Sequence, residues 1–126
     1  MSAPASSVVA PLDVEALTRR IQTIPAFTGL GIRDIAFEAG VCRAVVPRQA
    51  HLDGIFESYH GGMLATAADT IACFAIMTQT GADSWLTTTD LNIRFLSVCL
   101  TDVQVEARVI KLGRQLCPVA VNLMDM

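Results

Sequence analysis

Asp69 is a lone carboxylate inside residues 63–80, a run rich in Ala, Leu, Ile, Met and Phe with no Lys or Arg within one or two helical turns. Removing a carboxylate from water without a partner disfavours its charged form and raises its pKa, which makes it a useful base near neutral pH. The plainer alternatives are that Asp69 faces solvent on a half-buried helix, or bonds to Thr66 or Thr70. Upstream, His60-Gly61-Gly62 stands where the same helix should begin. Free N–H groups and the positive dipole at a helix N-terminus can receive a developing oxyanion, and glycine puts no side chain in the way. A tight turn is the plainer reading of Gly61 and Gly62. His60 either orients a substrate or closes the loop by hydrogen bonding.

Gly62 and Asp69 are seven residues apart, so they share a helical face but lie about 10 Å apart along the axis. One carbonyl cannot touch both, because attack requires contacts near ~3 Å. The simplest arrangement brings the Gly62 N–H of one subunit to the Asp69 of another across a two-fold axis, which predicts an obligate dimer.

The elements that must position these residues can be read from pattern. Asp13 has the character of a helix N-cap, with Leu12 and Leu17 at staple spacing and Glu15 in the first turn; Pro25 is expected to end that helix. Residues 30–37 and 41–46 read as a hairpin around the turn Glu38-Ala39-Gly40, and residues 49–59 as a loop containing Gly54. Residues 63–80, apolar on nearly every face and followed by Gly81, predict a buried helix. Residues 86–96, 103–110 and 117–124 predict three further strands, giving a meander sheet wrapped on one central helix.

At 126 residues the chain is one domain, expected at 13–126 behind a flexible segment 1–12 that lacks the basic and apolar regions of a secretory signal. A composition 52% hydrophobic and 17% charged is apolar for a lone domain, and burial against a second subunit would relieve it. The net charge of −3 offers no positive field for nucleic acid. The most apolar run, residues 71–77, is far shorter than the roughly 20 residues of a bilayer span, so no membrane partner is expected. Cysteines at 42, 73, 99 and 117 form no C-x-x-C pair and have no His at ligand spacing, which predicts reduced core thiols and no metal site. A cytoplasmic location follows as the default.

Three blocks in order, His60-Gly61-Gly62 with Asp69, residues 86–96 (LTTTDLNIRFL) and residues 106–114 (EARVIKLGR), resemble the PaaI-like hotdog thioesterases over roughly residues 27–125. The resemblance implies an α+β hotdog fold, an antiparallel sheet around one long helix, assembled as a homodimer or homotetramer and acting on acyl-CoA without metal or cofactor. It implies that Asp69 activates water or attacks the thioester, that the Gly62 N–H polarises the carbonyl, and that Thr88 supplies a hydroxyl near the attacking water. Arg94, Lys111 and Arg114 are candidate partners for CoA phosphates, or equally solvated strand-edge charges.

The chain departs from that pattern in two places. Gly54 stands where many relatives carry Asn, and Glu57 where they carry Gly. Glu57 is read first as a solvated loop charge, with support of catalysis or altered substrate preference as the other readings. The family also has a further strand after the segment ending at Asp125, whereas this sequence stops at Met126. That strand would lie between residues 117–124 and 86–96, so its loss should open unpaired edges inside the sheet. The expected activity is hydrolysis of an acyl-CoA, with Phe27, Phe56 and Tyr59 as candidate acyl-pocket residues together with residues of a partner chain. The alternative is a non-catalytic acyl-CoA-binding or assembly protein. A hotdog hydratase or dehydratase would need a His and acid pairing that His51 and His60 do not reproduce.

Overall fold

Asp13 does open a helix. In the computed structural model, which describes residues 9–126, its carboxylate accepts the Ala16 N–H at 3.1 Å and starts α1 (Val14–Ile21). Leu17 and Ile21 point inward and are fully buried, while Glu15 and Arg19 pair on the outer face. α1 ends at Ile21, and Pro25, expected to end it, begins a second helix, α2 (Pro25–Leu30). Proline suits the first helical position because its missing N–H would have no intrahelical partner there. The segment expected to be flexible, 1–12, lies outside the described residues as far as residue 8; Ala10 donates to the Gln79 carbonyl at 2.6 Å.

The hairpin forms as expected, with β1 (Arg33–Glu38) and β2 (Val41–Val46) joined through Gly40, whose φ of +76° suits a residue without a Cβ. β3 (Val103–Val109) and β4 (Val119–Asp125) complete an antiparallel sheet in the order β1-β2-β3-β4. Arg43 of β2 lies opposite Glu106 of β3 and bonds both it and Glu38 at 2.9 Å, a charged cross-strand row.

The long helix α3 (Gly61–Thr80) lies against the sheet, with Ala67, Ile71, Phe74 and Ala75 buried in one cluster with Val46, Val105 and Ala107. Ile71 is fully buried, a contribution of roughly 1.5–3 kcal/mol. By length and apolarity α3 would suffice to cross a bilayer, longer than the apolar run suggested, but its packing here is that of a core helix. Thr78, also buried, donates to the Ala75 carbonyl and accepts the Gly40 N–H at 2.7 Å, tying the hairpin turn to the end of α3.

One expected element is corrected. Residues 86–96 form no strand, although Leu91, Ile93 and Phe95 alternate with polar residues. A strand exists through its ladder, and among the described residues no strand lies beside this segment. Among the described residues β4 pairs with β3 alone, so its outer edge has no strand neighbour. Apolar side chains are left in solvent along this side, with Leu96 93% exposed.

Candidate active site

The start of α3 is built by three successive residues. His60 is the N-cap, and its Nδ1 accepts the Gly62 N–H at 2.8 Å, which requires the neutral tautomer protonated at Nε2. A Cβ on Gly62 would stand 2.9 Å from the His60 ring, so the glycine is what lets the imidazole fold over that amide. Gly61 serves a different neighbour: a Cβ there would meet the Phe95 ring at 3.1 Å, and without one Phe95 lies against the first turn. The expected donor, Gly62 N–H, is therefore held by His60 within this protomer.

Asp69 sits two turns along α3, half-buried, in the wall of a cleft of about 380 Å³. Of the hydroxyls weighed as its partners, Thr66 and Thr70 are spent on the carbonyls one turn back, those of Gly62 and Thr66. The partner is Thr88, whose hydroxyl donates to Asp69 Oδ1 at 2.5 Å across 19 residues of sequence. Cys73, one turn beyond Asp69, lies beside the same pair. Burial first, and then the Asp69 carboxylate, push its thiol above the ordinary range, while a bond from Thr88 acts the other way. A thiol held protonated is a poor nucleophile.

The loop leading into His60 is clamped from one side. Arg48 makes a bidentate pair with Asp53, donates to the Leu100 carbonyl at 3.0 Å and to the Glu57 carbonyl at 2.7 Å. Asp102 receives the Arg48 N–H, which with Arg33 holds its carboxyl below the usual range. Within this frame Gly54 donates to the Ser58 carbonyl, Tyr59 to that of Cys99, and His60 to that of Leu52. Glu57 adopts a φ of +54° and its side chain is exposed; its fixed contribution is a backbone carbonyl. Sequence reading singled out neither Arg48, which clamps this loop, nor Cys73, which lines the cleft beside Asp69. Cys73 had a usable signal, since a residue four beyond Asp69 on a helix shares its face.

The other candidates disperse. Arg94 is exposed beside Phe95. Lys111 lines a second hollow with Arg108, Gly40 and Gln79, near the far end of α3, and Arg114 lies beyond it on the exposed β3–β4 connection. None of the three lines the Asp69 cleft. None of the residues expected to line an acyl pocket together with a partner chain lines this cleft. Phe27 is buried in the core, Tyr59 is buried with its hydroxyl bonded to the Pro47 carbonyl, and Phe56 projects into solvent at 85% exposure. The cleft walls are instead Ile24, Cys73, Phe74, Met77, Trp85 and Leu86, with Arg20 at the rim. The arrangement offers a carboxylate with a fixed hydroxyl donor, opening on an apolar slot: a base or nucleophile for a carbonyl carrying an apolar group.

Residues 56–125 match the family model described as the thioesterase superfamily. Among solved structures, the chain is similar to the conserved protein PA5202 from Pseudomonas aeruginosa, with a TM-score of 0.80, 23% identity and coverage of 85% of this chain and 86% of that one. It is similar to zebrafish thioesterase superfamily member 2, with a TM-score of 0.74, 24% identity and coverage of 92% and 87%. It is also similar to the E. coli PaaI protein from the phenylacetic acid degradation operon, with a TM-score of 0.70, 21% identity and coverage of 86% and 80%. No curated protein matches the chain.

Proposed function

Since the chain belongs to the thioesterase superfamily and has the hotdog fold, we propose that it hydrolyses an acyl-CoA to the free acid and CoA, with Asp69 as the reacting carboxylate. Water adds to the thioester carbonyl carbon, the carbon–sulfur bond breaks, and the thiolate leaves with a proton. Asp69 acts either as general base toward that water or as nucleophile whose acyl anhydride the water then opens. The observation that carries this reading is the Thr88–Asp69 bond in the wall of the cleft. It fixes one carboxylate oxygen and leaves the other to face the reacting carbon or the water.

The oxyanion would be received by the Gly62 N–H of a second subunit, since within one subunit it stands about 10 Å along the helix from Asp69. That requires a homodimer or homotetramer, and it requires substrate to displace the His60 imidazole from the Gly62 N–H. His60 then gates the donor instead of touching the thioester. Arg94, Lys111 and Arg114, all exposed, are candidates for CoA phosphates on an assembled surface, and Gly54 and Glu57 shape the loop beside it. Unbridged cysteines support a reducing, cytoplasmic setting.

A second reading, acyl-CoA binding without turnover, draws on one observation: the Gly62 N–H is already satisfied. The discriminating experiment is CoA release from aryl- and fatty-acyl-CoAs by wild type and Asp69→Ala, with solution mass measured on both. Turnover lost in a still-oligomeric variant supports hydrolysis, whereas binding with no turnover by folded wild type supports the second reading.

A further inference from the structure

The Asp69 cleft has a cation at its other end. It runs along α3 from Asp69 past Cys73 to Met77, roughly 12 Å of helix axis, and is lined also by Ile24, Trp85 and Arg20. Arg20 lies in the last turn of α1, and its guanidinium donates to the carbonyl of Ala82, just past the end of α3, at 3.4 Å. That bond is long and weak. Among the described residues no carboxylate lies within ion-pair distance of Arg20, in contrast with Arg19, which Glu15 engages at 3.1 Å. An apolar slot that ends at a guanidinium with donors to spare is complementary to a chain that is apolar along its length and anionic at its tip. A purely hydrocarbon tail would fill the slot and leave that cation without a partner.

Resting on the hydrolytic reading above, we propose that Arg20 selects acyl groups ending in a carboxylate, so that the substrate class is the mono-CoA thioester of a dicarboxylic acid. The thioester carbonyl sits at Asp69, the methylene chain lies against Cys73, Phe74 and Met77, and the free carboxylate meets the Arg20 guanidinium. Arg20 is exposed, so the preference is modest and weakens with added salt.

The test compares α,ω-dicarboxylic acyl-CoAs from adipoyl to dodecanedioyl with monoacyl-CoAs of matched length, using wild type, Arg20→Gln and Arg20→Lys. Gln keeps a donor for the Ala82 carbonyl and removes only the charge; circular dichroism and a urea midpoint check that each variant folds. Expected is a higher kcat/KM of wild type for the longer dicarboxylic members, about three- to fivefold lower in Arg20→Gln and partly restored in Arg20→Lys, with monoacyl rates unchanged within error. A parallel fall for both classes, or no fall for either, overturns the inference and leaves Arg20 as a clamp on the 82–85 segment. If folded wild type releases no CoA from any substrate, the hydrolytic reading fails, and the same pairs are compared by calorimetric binding. Tighter dicarboxylic binding that Arg20→Gln abolishes would then keep the selectivity, and equal affinities would overturn it.

Discussion

The Thr88 hydroxyl donates to the Asp69 carboxylate from a segment that belongs to no strand. The bond therefore ties residues 86–96 to α3 as well as orienting the acid. Removing the acid with Asp69→Asn should lower kcat for CoA release on the order of 10²- to 10⁴-fold, with little change in urea midpoint, since Asp69 has no ion pair to lose among the described residues. Thr88→Val, which keeps the shape and deletes the donor, should cost about tenfold in kcat, and Thr88→Ser should restore most of it. Equal rates for Thr88→Val and wild type would remove Thr88 from the mechanism.

The His60–Gly62 contact joins stability to access. His60→Ala deletes the cap of α3, a loss of about 1 kcal/mol readable as a lower urea midpoint. It also frees the Gly62 N–H, so KM for an acyl-CoA should not rise. Gly62→Ala forces the imidazole away by the 2.9 Å clash, yet it also puts a methyl where the carbonyl must approach. Its kcat should fall further than that of His60→Ala, although both lose the cap. A rise in KM for His60→Ala would assign the imidazole to substrate instead.

Much of this site is legible in the sequence. Asp69 stands out because charge is rare in an apolar helix, and Gly61 and Gly62 because two glycines at a helix start demand a reason. What is not legible depends on contacts across long sequence separations. Thr88 reaches Asp69 over 19 residues and Arg48 reaches the Leu100 carbonyl over 52, and no local pattern encodes either. Residues 86–96 show the opposite failure. Their alternation is a valid strand signal, but alternation specifies which face is buried and not whether a neighbour is there to bond. Phe27 and Tyr59 show a related point, since aromatic residues are as often core as pocket, and within this chain both went to the core.

Arg48 holds the His60 loop through side-chain bonds to Asp53 and to the Leu100 and Glu57 carbonyls. Arg48→Met keeps much of the apolar stem and deletes the fork. Amide exchange at Gly54, Tyr59 and His60, whose N–H groups bond inside this loop, should accelerate at least about tenfold, while exchange in the middle of α3 stays slow. Arg48→Lys should recover little, because an ammonium cannot bond Asp53 bidentately and reach both carbonyls. Unchanged exchange in Arg48→Met would mean that the backbone bonds alone hold the loop.

Cys42 gives the fold a defined weakness in alkali. It lies in β2 opposite Ala107 with no exposed surface, and burial pushes its thiol up to about 12. In the unfolded chain the same thiol ionises near ~8.5. Below that pH both states hold the proton and Cys42 adds no pH dependence. Above it the unfolded chain sheds a proton that the folded chain keeps, so stability falls with rising pH, by at most about 1.4 kcal/mol per unit, until the folded thiol ionises near the top of the window. Urea midpoints of wild type and Cys42→Ala measured from pH 8 to about pH 11 should diverge in slope, the wild type falling more steeply. The small cavity left by Ala shifts the midpoint by a similar amount at every pH, so the slope isolates the thiol. Tyr59, also raised mainly by burial, titrates in both proteins and cancels in the comparison. Parallel slopes would show that water reaches Cys42 in the folded protein, and rapid alkylation of that thiol at pH 8 should then accompany them.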